Sequence, residues 1–400
     1  MAIPSFEEFK SKLDHGNLIP IWEEILVDFD TPVSLFKKID TPESQYSYLL
    51  ESVEGGEKWA EYSFLGSNPS VVFRSKGNNI EIIEDGIERK IKGDPIDELR
   101  NLLSRYKLVE DEKLPRFHGG AVGFFSYDVV RFVEDLPVIG SDELGIWDSV
   151  YMITDTVLIF DNINHKLKIV ANVFIDEKTD PLSSYNSAVS KINDIKAKIS
   201  VSLGDNSFVN LSLESNGKSC ELESNFKPED FKKAVLKTKE YIKAGDIIQD
   251  VISQRWKTDL KVDSFDLYRS LRVLNPSPYM FYLKMNDQIL VGSSPEVMVR
   301  VEGDKVENRP IAGTRPRGKD EKEDLFYEKD LLADPKERAE HIMLVDLARN
   351  DLGRIAKVGT VKVDELMTIE RYSHVMHIVS NVISDLRDDK DAFDVIKATF

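Results

Sequence analysis

His118-Gly119-Gly120-Ala121-Val122-Gly123-Phe124-Phe125-Ser126-Tyr127-Asp128 places three glycines within five residues, and the reading of those glycines decides the fold of the first half. A phosphate loop needs G-x-G-x-x-G, or a glycine loop closed by Gly-Lys-Ser/Thr, so that backbone N–H groups wrap an anion. Neither spacing is present, and no Lys-Ser/Thr follows. Glycine instead alternates with apolar and aromatic residues, which predicts a buried strand approached closely by another backbone. The surroundings agree. Residues 71–75 (Val-Val-Phe-Arg-Ser), 79–84 and 166–174 alternate or run β-rich between Gly, Asn and Asp punctuation. A weak helical pattern covers 185–199. The first half therefore reads as strands and turns with few helices.

Four hundred residues exceed the usual domain of about 150. Residues 200–224, with seven serines and both Gly204 and Gly217, mark the boundary. The expected division is 1–200, a linker over 201–224, and a second domain over 225–400. Lys plus Arg total 53 against 71 Asp plus Glu, a net charge of −18. Such a surface repels nucleic acid and anionic membrane, and neither is an expected partner. At 41% hydrophobic residues, the acidity does not signal disorder. The N-terminus has no basic stretch followed by an apolar run, and no run of apolar residues is long enough to span a membrane, so a cytoplasmic location is expected. Cys220 is the single cysteine, which excludes an internal disulfide and a cysteine-rich metal site.

Beyond the boundary a helix restarts at Pro228, with Glu229 and Asp230 complementing its dipole. Phe231, Ala234, Val235, Tyr241 and Ile242 form its apolar stripe, and Gly245 stops it. Residues 308–319 hold Arg309, Arg315, Arg317 and Lys319 and no acid: a local anion site, or a solvated basic loop. In 337–354, Glu337 and Glu340 fall on one face of a helix whose Ile-Met-Leu-Val core predicts burial all round. Those carboxylates either hold a hard cation or pair with an arginine. His374 and His377 lie in a β-rich context that sends them to opposite faces, against zinc, with one histidine kept as an acid/base group. Glu296, after a strand and a turn, suits a general acid or a cap.

Taken in order, these segments resemble the chorismate-utilising enzymes and look most like anthranilate synthase component I. The resemblance rests on Leu49-Leu50-Glu51-Ser52, Ala244-Gly245-Asp246-Ile247-Ile248-Gln249, Ser253-Gln254-Arg255 and Asn275-Pro276-Ser277-Pro278-Tyr279. It continues through Ser294-Pro295-Glu296, Pro310-Ile311-Ala312-Gly313-Thr314-Arg315-Pro316-Arg317-Gly318, the Glu340–Arg354 helix and Val375-Met376-His377. It implies an α+β (α/β sandwich) fold, with β-sheets packed together, helices outside and two interlocking domains. It also implies a lyase that converts chorismate and ammonia to anthranilate and pyruvate in tryptophan biosynthesis. Mg²⁺ would chelate the ring carboxylate, with Glu340 as ligand and Glu337 beside it. Glu296 would protonate the leaving C4 hydroxyl, and His377 would assist there and in the later elimination. Arg255, Gly313 and Thr314 would surround the substrate.

Within the family, isochorismate and salicylate synthases carry lysine at the position of Gln249, and aminodeoxychorismate synthases usually carry it at the position of Ala312. Both positions favour anthranilate synthase. Glu51, Ser52, Pro278, Tyr279 and Met280 match the family's tryptophan feedback pocket, or else form a capped turn. A glutamine amidotransferase needs a cysteine nucleophile, and Cys220 has no glycine elbow. A separate amidotransferase subunit, component II, is therefore expected to supply ammonia. Asp250 departs from the family's apolar residue, as an interior charge or a strand shift. After the helix begun at Asp391 the family continues with a glycine-rich loop and a further metal-binding acid, whereas this sequence stops at Phe400. A catalytically incomplete effector-binding protein is the rival reading.

Overall fold

Val71–Lys76 and Asn79–Glu84 pair antiparallel across a two-residue turn at Gly77-Asn78, and Gly77 takes φ 53°, the left-handed backbone that such a tight turn requires. This hairpin belongs to a five-stranded antiparallel sheet. Its order is Ile87–Lys92, Asn79–Glu84, Val71–Lys76, Ser149–Thr154, Gly120–Phe125. The computed structural model of the chain describes residues 2–53, 61–138, 140–204, 221–372 and 374–400. Cys220 and most of the serine-rich stretch lie outside the described residues.

The glycine run at 118–128 forms the edge strand Gly120–Phe125, followed by a short 3₁₀ turn over Tyr127–Phe132. Close approach is realised at Gly123, where a Cβ would collide with the Val150 carbonyl oxygen. Burial is less than expected, because an edge strand has a neighbour on one side only. Of its six residues only Val122 is fully buried.

A seven-stranded antiparallel sheet packs against this one. It runs Leu18–Leu26, Lys166–Phe174, Thr156–Asp161, Tyr62–Ser67, Tyr46–Glu51, Tyr279–Met285, Gln288–Ser294. Tyr48, Leu283 and Met285 from this sheet meet Val72, Val122, Val150 and Met152 from the other. The last two strands come from beyond residue 225, so the linear division expected at 201–224 does not coincide with a division between sheets. The third sheet is centred on Val375–Asp385. One edge of that strand receives Lys305–Asn308 and then Ile311–Pro316, and its other edge receives Lys362–Arg371. Helix Pro335–Ile355 covers the sheet through Val345, Ala348, Leu352 and Ile355, which pack with Val306 and Val382. These helices and antiparallel sheets make the fold α+β.

Helix Pro335–Ile355 is buried on one face rather than all round. Ile342 and Leu347 stay 40% and 54% exposed, because the sheet touches only the stripe that starts at His341. By contact density the chain has two compact units, Met1–Ser207 with Tyr268–Phe400, and Phe208–Leu267. In the second, helix Pro228–Ala244 ends at Gly245 with φ 83°, as its sequence predicts. None of its residues is fully buried, and a two-residue ribbon, Glu223–Ser224 with Trp256–Lys257, is its one strand pairing among the described residues. No helix among the described residues is long and apolar enough to cross a membrane.

Helix Ala392–Thr399 packs on helix Pro335–Ile355 through apolar side chains and reaches the first half through ion pairs. Val395 and Ala398 are buried beside Leu352, while Lys397 pairs with Asp94 at 3.0 Å and with Asp97 at 2.7 Å on helix Pro95–Leu103. Apolar burial is the larger contribution. Val395→Ala is expected to destabilise by about 1–3 kcal/mol and Lys397→Met by under about 1 kcal/mol. Urea midpoints of the two variants will rank them, and the opposite order would make the ion pairs the larger contribution.

Candidate active site

Ile311–Pro316 is the strand on which the predicted residues meet. Ala312 faces Ile378 on the neighbouring strand, and regular antiparallel pairing would put Thr314 opposite Met376. The pairing slips by one residue instead, so Thr314 faces His377. Gly313 is the extra residue of this bulge, at φ 67°, a conformation that β-bulges assign to glycine. A Cβ at Gly313 would stand 3.2 Å from Ile378 Cδ1 and Leu331 Cδ1 and 3.3 Å from Glu337 Oε2.

The slip creates a specific contact. His377 Nδ1 lies 3.1 Å from the Gly313 carbonyl oxygen and 3.1 Å from Thr314 Oγ1. A carbonyl only accepts, so in the neutral ring Nδ1 carries the proton and Nε2 keeps its lone pair. Tyr372 meets the ring edge-on at 5.5 Å. Met376, the preceding residue, is fully buried with Leu331 and Ile378, so strand alternation keeps His377 on the open face.

Glu296 arrives from the other side. It follows strand Gln288–Ser294, and its Oε1 accepts the Ile311 N–H at 3.2 Å. Burial of the carboxyl raises it above its ordinary value, against the opposing pull of the Ile311 N–H. An elevated carboxyl holds its proton to higher pH, as a general acid must.

Glu337 stands in the first turn of helix Pro335–Ile355, whose N-cap Asp334 accepts from the Lys336 and Glu337 N–H groups. Its carboxylate is 18% exposed and lies 4.0 Å from Arg315 Nη1. Glu340, half-buried one turn later, shares that face. Two carboxylates beside an open strand fit a hard divalent ion that draws its remaining ligands from water and substrate. Among the described residues no group of three or more His, Cys, Asp or Glu is placed to hold a metal.

The basic run does not present four free cations. Arg315 donates to Asp330 at 2.7 Å and to Asp334 at 2.9 Å, and Arg309 pairs with Glu370. Arg317 pairs with Asp324 at 2.7 Å, holding that carboxyl down at about 2. The run carries no acid of its own, and the acids come from other segments, which spacing within the run does not reveal. Arg255 belongs to the Phe208–Leu267 unit, where its N–H donates to Asn225 Oδ1 at 2.8 Å. Gln249 and Asp250 lie there in irregular, exposed chain. Asp250 is thus neither an interior charge nor in a shifted strand. Its Oδ2 accepts from Thr238 Oγ1 at 3.2 Å.

The expected effector residues converge elsewhere. Met280 pairs with Glu51 across adjacent strands, and the Val53 N–H donates to the Ser277 carbonyl at 3.1 Å. Ser52 and Pro278 flank these two contacts. Tyr279, half-buried, has its hydroxyl raised by that burial. The Glu51 side chain is only 1% exposed, and its carboxylate accepts from Tyr268 at 2.5 Å and from Arg272 at 3.1 and 3.2 Å.

A model of the chorismate binding enzyme family matches residues 47–400. The chain belongs to the chorismate binding enzymes. Curated relatives named anthranilate synthase component 1 are 45% identical in Acetivibrio thermocellus, over 99% of this chain and 80% of that protein. The one from Aquifex aeolicus is also 45% identical, over 99% and 79%. The crystal structure of anthranilate synthase component I from Streptococcus pneumoniae superposes with TM-score 0.73 at 29% identity, covering 94% of this chain and 79% of that one. The menaquinone-specific isochorismate synthase of Escherichia coli, at 13% identity and TM-score 0.63 over 98% and 78%, shares the fold.

Sequence reading of this chorismate binding enzyme missed Asp330, Asp334, Tyr268 and Arg272. Asp334-Pro335 is a legible helix start, but its second role as an anchor for Arg315 is not. Tyr268 and Arg272 are four apart on helix Ser264–Leu274, a spacing that places both on one face. Nothing local names Glu51 as their target. The bulge itself is testable. Gly313→Ala is expected to destabilise by about 1–2 kcal/mol through its left-handed backbone. Gly353→Ala, in a helix with open space at its Cβ, is expected to stabilise by about 0.5–1 kcal/mol. Equal urea midpoints for the two variants would refute the strain at Gly313.

Proposed function

We propose that this chain is the large component of an anthranilate synthase, converting chorismate and ammonia to anthranilate and pyruvate. The observation that carries the reading is the convergence of Glu296 and His377 on Ile311–Pro316, one through the Ile311 N–H and the other through Gly313 and Thr314. The 45% identity to component 1 proteins supports it. So does the absence of lysine at Gln249 and Ala312, where the related water-activating and lysine-nucleophile enzymes use one.

In this reading ammonia forms a bond to C2 of the ring while the C4 hydroxyl departs. Glu296, whose carboxyl burial raises, gives its proton to the hydroxyl so that water leaves. His377 Nε2, with its lone pair free, accepts the hydroxyl's own hydrogen and so turns an oxygen lone pair toward that acid. His377 Nε2 then takes the C2 proton as the enolpyruvyl group departs, the departing enolate gains a proton to become pyruvate, and the ring becomes aromatic. Thr314 orients His377 and contacts substrate, and Gly313 leaves room beside Glu337. Magnesium, held by Glu340 with Glu337 adjacent, would supply Lewis-acid neutralisation of the substrate's ring carboxylate. Ammonia would come from glutamine through a separate amidotransferase subunit, component II. Tryptophan would inhibit from the Glu51–Met280 region, and the enzyme would be cytoplasmic.

Fluorescent anthranilate should accumulate from chorismate, an ammonium salt and Mg²⁺, and should stop on chelation. Chorismate loss with a different product would reassign the reaction, and no loss would favour an effector-binding protein. Glu296→Gln should lower turnover by about 100-fold or more. Because the acid form of Glu296 is the active one, the rate per free ammonia should fall as pH rises through its elevated value. That limb should be missing in Glu296→Gln. Ser52→Phe should relieve inhibition by tryptophan while leaving uninhibited turnover intact, and unchanged inhibition would remove the effector assignment.

A further inference from the structure

His377 has a neighbour on each side of its strand. Thr314 lies opposite it on one adjacent strand and Glu370 on the other. Residues opposite each other in such a ladder share a face, with Cβ atoms about 4.5–5.5 Å apart. A glutamate carboxylate at that separation lies within reach of the imidazole. Both hydrogen-bond contacts of the ring nonetheless go to Nδ1, from Gly313 and Thr314. Among the described residues, Glu370 bonds to Arg309 and Tyr372 instead.

Both oxygens of the carboxylate are engaged. Oε1 accepts from Arg309 Nη2, and Oε2 accepts from the Tyr372 hydroxyl at 2.9 Å. Tyr372 is also fixed through its main chain. Its N–H donates to the Val375 carbonyl at 2.8 Å, and its own carbonyl accepts from Arg317 Nη1 at 2.7 Å. Burial, joined by the Glu370 acceptor, raises the Tyr372 hydroxyl above its ordinary value, so the hydroxyl keeps its proton and donates.

These contacts bear on the state of the imidazole. The Gly313 carbonyl places the proton on Nδ1 and leaves Nε2 bare. A carboxylate with a free oxygen on the same face would draw a proton onto Nε2. Either the tautomer would flip, with Thr314 Oγ1 donating to Nδ1, or the ring would become the imidazolium that an adjacent anion favours. Both consume the lone pair that the proposed reaction needs. The Tyr372 ring adds a second restraint. Rotation of an imidazole about its outer bond is broad, and the edge-on contact at 5.5 Å narrows it.

We propose that Tyr372 is a positioning residue for His377: its hydroxyl occupies Glu370 and keeps that carboxylate off Nε2, while its ring holds the plane of the imidazole. The hydroxyl is spent on Glu370, so Tyr372 itself transfers no proton in the reaction. Its value to catalysis rests on the role proposed for His377, whereas the protonation of Nε2 does not.

Tyr372→Phe keeps the ring and deletes only the hydroxyl, which separates packing from control of the carboxylate. Nitrogen NMR of the full chain labelled at histidine will read Nε2 at a pH where the parent ring is neutral, with His377→Asn identifying the signal. Nε2 should be unprotonated in the parent and protonated in Tyr372→Phe. In the anthranilate assay Tyr372→Phe should lower kcat at least about tenfold with KM within about twofold. Adding Glu370→Ala to Tyr372→Phe should return Nε2 to its unprotonated state and recover most of the lost kcat. If the double variant does not fold, the Tyr372→Phe spectrum decides alone. An Nε2 signal unchanged in Tyr372→Phe overturns the proposal, as does a kcat within about twofold of the parent. If the parent forms no anthranilate, the reading of the reaction fails, and the nitrogen spectrum still decides whether Tyr372 guards His377.

Discussion

A one-residue slip in a β-ladder organises the candidate active site. Strand pairing has a side-chain period of two, so moving the register by one residue exchanges the faces. At Gly313 the slip is confined to a bulge. The residues before it keep their pairing, and those after it present Thr314, rather than its neighbour, to His377. The bulge needs left-handed backbone and a missing Cβ together, since Ile378, Leu331 and Glu337 crowd the place a methyl would occupy. Glycine satisfies both conditions. The imidazole tautomer follows from the Gly313 carbonyl, and the room for Glu337 follows from the missing Cβ.

The same strand reaches the other half of the fold through Glu296. Tyr279–Met285 and Gln288–Ser294 form a hairpin in which Tyr279 pairs with Ser294. The first strand of that hairpin carries Met280 opposite Glu51, and the second ends two residues before Glu296. Glu51 is buried, and its carboxylate is matched by one hydroxyl and one guanidinium. Removing Arg272 would leave the buried carboxylate without its counter-charge, which costs far more than losing an exposed pair. The expected effector residues and the proposed acid therefore hang from one hairpin, anchored through Met280 and Glu51 at the end from which Glu296 emerges.

What was legible in the sequence divides by range. Gly77, Gly245 and Pro228 act within a turn of chain, and their elements formed where local chemistry predicts. Strands 79–84 and 166–174 match because a period-two pattern is itself local. Glu337 and Glu340 share a face for the same reason. The failures involve partners distant in sequence. Arg309 meets its acid sixty-one residues away, Glu51 meets Tyr268 at a separation of 217, and the edge position of Gly120–Phe125 depends on which strands crowd the sheet. The bulge sits between these cases: Gly313 is visible in the sequence, but a register slip needs both strands.

The arginines of 308–319 show how composition misleads about charge. Read alone, the run suggests a positive patch set against a net charge of −18. In the fold Arg315 bridges Asp330 and Asp334, the second of which caps helix Pro335–Ile355. Asp334 is held below the ordinary carboxylate range by the Glu337 N–H and by Arg315, so it stays charged as cap and as ion-pair partner. A cation on the strand thereby grips the N-terminus of the helix that carries Glu337 and Glu340. The guanidinium's fork geometry suits two carboxylates at once, and the strand-to-helix spacing follows from it. Its charge is spent on position: it sets where two carboxylates stand relative to Gly313, and it contributes little to drawing in an anion.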